Sequence, residues 1–190
     1  MSKFMVGAKF VVGGLVGWVL SPSLWSILPG RWISLLLATA RAESNFIENA
    51  SGDDGASVGV AQFKADTWLA VSPDGYGSSA RTDPYASGRK AAGMVATAFE
   101  ENPLVWWVAL TLLPGPWYMR ALWRGGWGDS TSRSWSKVGE LVTETKTAET
   151  GEGTQQTGMW YWGSRLFTLP LDVLVILGFA AAIRRLWAKR

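Results

Sequence analysis

Between Arg31 and Phe46, Ile33, Leu36, Leu37 and Ala40 recur at i, i+3, i+4 and i+7, the spacing of a helix that buries one face. Glu43 falls at the next i+3 step, so the pattern brings a carboxylate off that same face near the helix end. Burying a carboxylate without a partner is costly. Burial also raises its affinity for a proton and readies it as a general acid near neutral pH. The plainer alternative is a helix-end Glu whose carboxylate reaches water. The chain contains no histidine and no cysteine. This excludes Ser-His-Asp triads, imidazole bases, thiol nucleophiles, disulfides and metal sites built on His or Cys. Proton transfer falls to carboxylates, Lys or Tyr. Asp53, Asp54 and Asp66 are the nearby carboxylates that can serve as a second partner. Asp53-Asp54-Gly55 reads either as a turn, which suits Asp and Gly, or as a source of a water-activating carboxylate.

Glu43-Ser44-Asn45-Phe46 leads through Gly55-Ala56 to Gly59-Val60-Ala61-Gln62-Phe63 and Thr67-Trp68, and Arg81-Thr82-Asp83-Pro84-Tyr85 follows. This ordered set resembles the signature of the lytic transglycosylase family with a goose-lysozyme-like fold. Its Gln-Phe and Thr-Trp pairs are similar to the version found in phage virion muramidases. The resemblance covers about Leu35 to Ala121. It departs from the pattern in two places. Gly55–Gly59 carries one extra residue, and Ala109–Gly115 has no Tyr or His where the family places one.

The resemblance implies a mainly α protein with a small lysozyme-like helical domain. The implied activity is cleavage of the β-1,4 bond between N-acetylmuramic acid and N-acetylglucosamine in peptidoglycan, with no cofactor and no metal. Glu43 is then the single catalytic residue, protonating the leaving oxygen and afterwards taking a proton from the sugar's C6 hydroxyl. Ser44, Gln62, Phe63 and Tyr85 are the implied substrate contacts, with Gln62 donating to an acetamido group. A lysozyme-type hydrolysis using Asp53 or Asp54 is the second choice. Implied partners are peptidoglycan glycan strands and other virion or membrane-conduit proteins. A non-catalytic conduit or adaptor that keeps a degenerate lysozyme-like fold is the competing reading. Trp106, Trp107, Trp117 and Tyr118 suit either a saccharide groove or a membrane interface.

The elements that must position these groups lie in a chain of 190 residues, 17% of them charged, with 48% hydrophobic residues, 22 Gly and 13 Trp. Its net charge of +3 is too mild to indicate nucleic acid. Phe10–Gly30 is free of charge and long enough to cross a hydrocarbon core, as an anchor or as a signal peptide. Leu166–Ile183 is apolar apart from Asp172 and precedes Arg184, Arg185, Lys189 and Arg190. Residues 1–30 and 159–190 are therefore expected to be transmembrane segments in a lipid bilayer, flanking a domain over 31–123 and a polar flexible linker over 124–158. With Lys3 and Lys9 at one end and the Arg cluster at the other, the positive-inside rule puts both termini on the cytoplasmic side and the domain in the periplasm. Pro103–Met119 is expected to form a buried helix followed by a turn.

Overall fold

A computed structural model describes residues 1–71, 75–101, 103–112, 116–123, 135–148 and 152–187. Those residues are mainly helical, with eight α-helices and one two-stranded hairpin. Helix α1 runs Lys3–Leu20, starting at a Ser2 side-chain cap and stopping before Pro22, which cannot continue it. The expected span Phe10–Gly30 is therefore divided among three elements. A 3₁₀ turn at Pro22–Ser26 follows α1, and α2 (Pro29–Ser44) begins with Pro at its first position.

Helix α1 packs closely on α4 (Pro84–Glu101). A methyl group on Gly13 would strike the backbone of Tyr85, and one on Gly88 would strike the backbone of Phe10. Glycine at these crossings lets two backbones approach. Trp32 Nε1 donates to the Gly14 carbonyl at 2.9 Å, and Trp18 Nε1 donates to those of Leu24 and Ile27 at 2.8 and 3.0 Å. Gly13, Gly14 and Gly17 thus serve helix packing within the domain.

Left-handed Asn45 ends α2, its N–H returning to the carbonyls of Ala40 and Arg41. The chain then forms β1 (Ser51–Gly52) and β2 (Ser57–Val58), paired antiparallel with Ser51 opposite Val58 and Gly52 opposite Ser57. Asp53-Asp54-Gly55 makes the connecting turn. Helix α3 (Ala65–Ala70) precedes α4. Helices α5 (Pro103–Thr111) and α6 (Trp117–Ala121) follow it. The turn expected at Leu113-Pro114-Gly115 lies outside the described residues. Trp106 is fully buried in the common core with Trp32, Trp68, Leu35, Leu36 and Met94.

The polar stretch expected to be a flexible linker contains α7 (Trp135–Ala148), which packs on α6. Val138 and Val142 are buried there, one turn apart. Helix α8 (Glu152–Trp187) is a single helix carrying Pro170 inside it, and its first half packs along α2. Two helices are long and apolar enough to cross a membrane. They are Lys3–Leu20, a third of it buried within the domain, and Gly158–Trp187, of which only 6% is buried.

Asp172 departs from its expected place in lipid. It is buried against the start of α2, where Oδ1 accepts from the Gly30 N–H at 2.6 Å and Oδ2 pairs with Arg165 at 2.5 Å. Leu28, at the cap position of α2, provides no side-chain cap and the first turn holds no acidic residue. The α8 carboxylate supplies the negative charge that a helix N-terminus favours.

Candidate functional site

Glu43 sits in the last turn of α2 with a side chain 16% exposed, lining a cleft of about 530 Å³. The cleft lies between the end of α2, the hairpin loop and α6. Asp53, Ser57, Gln62, Phe63, Lys64 and Thr67 come from the loop and the start of α3, Met94 from α4, and Arg120 and Trp123 from α6 and the residues after it. Four of the residues singled out in the sequence, Glu43, Asp53, Gln62 and Phe63, thus meet in one place.

The loop's shape comes from unusual backbone positions. Asp53, Asp54, Gly55, Gly59 and Gln62 all have positive φ. At Gly59, φ is +83° and a Cβ would run into the Arg81 backbone, so glycine is required on both counts. Arg81 fastens the loop from outside, with Nη1 donating to the carbonyls of Ala56 and Phe63, each at 3.1 Å. Gln62, at the end of this loop, lines the cleft.

Gln62 cannot play its expected part as a donor to an acetamido group. Its Nε2 already gives hydrogen bonds to the carbonyls of Ala50 at 3.0 Å and Gly59 at 2.8 Å, using both amide hydrogens. What remains is Oε1, an acceptor. Ser44 is buried, donates to the Ala40 carbonyl at 3.1 Å, and does not line the cleft. Tyr85 lies at the start of α4 beside Gly13 of α1, away from the cleft. The structure does not bring these two expected substrate contacts to the cleft.

Asp53 accepts from Ser57 Oγ at 2.9 Å and pairs with Lys64 at 3.4 Å. The Ser57 hydroxyl, with Lys64 beside it, holds the Asp53 carboxyl below the usual aspartate range. A carboxylate so held is a weak base, better suited to pinning the hairpin than to activating water. Asp54 is exposed in the turn and does not line the cleft, and Asp66 accepts from the Thr67 N–H at 2.7 Å.

Sequence reasoning missed Arg120. Its guanidinium, 6% exposed, forms an ion pair with Glu43 across the cleft. The signal was present in Pro116–Trp123 (PWYMRALW), where a lone cation interrupts an apolar run. A cation in such surroundings needs an anionic partner. The Glu43 carboxylate, expected without a named partner, is thus one half of an ion pair whose other half comes from α6.

The aromatic lining also differs from expectation. Phe63 and Trp123 are the aromatic residues of the cleft, with ring centroids 5.2 Å apart, and Trp123 Nε1 donates to the Ala61 carbonyl at 2.8 Å. Trp106, Trp107, Trp117 and Tyr118 do not line it. Among the described residues no cluster of acidic side chains suits a metal ion. Comparison with protein-family models, with curated proteins and with solved structures gives no match.

Proposed function

We propose that the protein is a membrane-associated enzyme that cleaves the MurNAc–GlcNAc β-1,4 bond of peptidoglycan by transglycosylation. The observation that supports this reading best is the placement of Glu43. A helix-end carboxylate faces a cleft lined both by the aromatic pair Phe63 and Trp123 and by the polar side chains of Asp53, Ser57 and Gln62, a combination suited to a sugar chain. In the proposed reaction the protonated Glu43 gives its proton to the bridging oxygen as the C1–O bond breaks. The C6 hydroxyl of the same sugar then forms a bond to C1 and returns its proton to Glu43. A 1,6-anhydro end is produced, no water is consumed, and the carboxyl ends as it began.

Arg120, paired with Glu43, lies beside the reacting carboxyl in this cycle. Pinned Asp53 leaves the hydrolytic variant without a free base from the hairpin. In cells, tethering of this cleft to a bilayer would confine cleavage to nearby wall, as suits a virion protein assisting genome entry.

The same ion pair favours a second reading, a non-catalytic membrane conduit or adaptor in which Glu43 and Arg120 serve as a structural pair. Purified protein in detergent, incubated with sacculi and followed by mass spectrometry of the released fragments, separates the two. Anhydro-muropeptides that disappear with a folded Glu43→Gln variant support the transglycosylase. Reducing ends support lysozyme-type hydrolysis. No release at any pH tested supports the conduit.

A further inference from the structure

The direction of three helices gives the two ends of the domain different chemistry. The Met1 amine lies 4.0 Å from Glu48, beyond the end of α2, whereas Trp18 donates to Ile27, before its start, so α1 is antiparallel to α2. Trp160 meets Phe46 with centroids 5.2 Å apart, and Asp172 meets Gly30, so α8 is also antiparallel to α2. Helices α1 and α8 therefore run parallel. At the end of the bundle near Gly30, α1 finishes with Val19 and Leu20, and the following turn carries Trp25. These side chains are 57%, 62% and 57% exposed. Helix α8 leaves the domain at that end. Asp172 is its last buried residue, and beyond it Val173–Ile183 is apolar on every face up to Arg184 and Arg185. A helix apolar all round and without a protein neighbour suits lipid.

Its length falls short of a full crossing. The roughly 11 apolar residues from Val173 to Ile183 rise about 16 Å as an α-helix. The hydrocarbon core is about 30 Å thick. The shortfall of about 14 Å is met if the apolar end of the domain itself enters the bilayer. Asp172 incurs no cost in lipid there, since it is already buried and paired within protein. Lys9, exposed two turns into α1, makes that helix the poorer candidate to cross.

We propose that the end of the bundle bearing Val19, Leu20 and Trp25, together with the outward face of α8 at Phe167 and Leu171, is sunk into one leaflet of a lipid bilayer. Only α8 crosses, and α1 stays with the domain. The proposal rests on the membrane half of the proposed function and not on its glycan chemistry. Two consequences follow. Glu43, about 13 residues along α2 from Gly30, is carried about 20 Å from the membrane end of that helix, so the α2–α8 pair fixes the reach of the cleft. The N- and C-termini lie on opposite sides, where charge distribution alone predicts the same side.

The absence of native cysteine permits a direct test. Single cysteines at Leu20, Trp25, Ile47 and Ile176, all exposed, are labelled with bimane, and the full chain is reconstituted in phosphatidylcholine–phosphatidylglycerol vesicles containing doxyl-labelled lipid. Labels at 20, 25 and 176 should lose most of their fluorescence, with shallow doxyl groups most effective at 20 and 25, while the label at 47 keeps its own. Quenching at 176 but not at 20 and 25 overturns the proposal. A label at 20 that is shielded from water yet unquenched by lipid assigns that face to a second copy of the chain and also overturns it. No quenching at 176 removes the membrane reading itself. Ser2→Cys and Trp187→Cys should react with an impermeant maleimide from opposite sides, and reaction from one side refutes the single crossing.

Discussion

Replacing Arg120 by Met tests the ion pair at the centre of the cleft. The two partners are unequally exposed, with side-chain values of 6% for Arg120 and 16% for Glu43. Two unit charges about 4 Å apart attract by about 4 kcal/mol at an effective dielectric constant near 20. Removing one partner of a buried pair costs about 3–5 kcal/mol because the other charge stays behind. Glu43 faces the cleft and can take up water or a proton, so Arg120→Met should lie below that range, at about 1–2 kcal/mol. Glu43→Gln takes the carboxylate from a guanidinium that cannot shed its charge, and should reach about 3 kcal/mol. The double variant should be more stable than the sum of the singles predicts, with a coupling of about 2 kcal/mol. For a chain of this size that corresponds to about 4–8 °C in melting temperature. Equilibrium unfolding of the four proteins in one detergent measures the cycle. A coupling below about 0.5 kcal/mol, the scatter of independent sites, would refute the argument.

Gly13→Ala and Gly88→Ala should each destabilise by about 1–3 kcal/mol through overpacking at the α1–α4 crossing, while Gly139→Ala, which meets no neighbouring atom within 4 Å, should be neutral or stabilising by up to about 1 kcal/mol; thermal unfolding decides. Asp172→Asn should free the first half of α8 from α2, read as a gain in hydrogen exchange over 158–172 and at the start of α2, and an unchanged exchange pattern would argue against the clamp. Asp53, held below the ordinary aspartate range by Ser57 and Lys64, steadies the hairpin above that range and loses this effect as pH falls through its lowered value. Exchange protection over 51–63 should therefore be flat near neutral pH and drop in acid, and Asp53→Asn should abolish the acid step.

The local decisions were legible in the chain itself. Spacing at Ile33, Leu36, Leu37 and Ala40 specified α2, and Asp53-Asp54-Gly55 marked a turn, because helix periodicity and the turn preference of Asp and Gly act within a few residues. Glu43 was found the same way. What the long apolar segments would pack against was not legible, because a helix that fits lipid and one that fits an Ala- and Gly-rich neighbour use the same residues. Only the fold showed that Gly13 and Gly88 bring α1 against α4, that Val138 and Val142 bury one face of α7, and that Gln62 spends both amide hydrogens on its own loop. The pairs Glu43–Arg120 and Gly30–Asp172 join residues 77 and 142 positions apart. Nothing local encodes such a meeting. Pairing and burial at these positions were decided by the approach of distant helices.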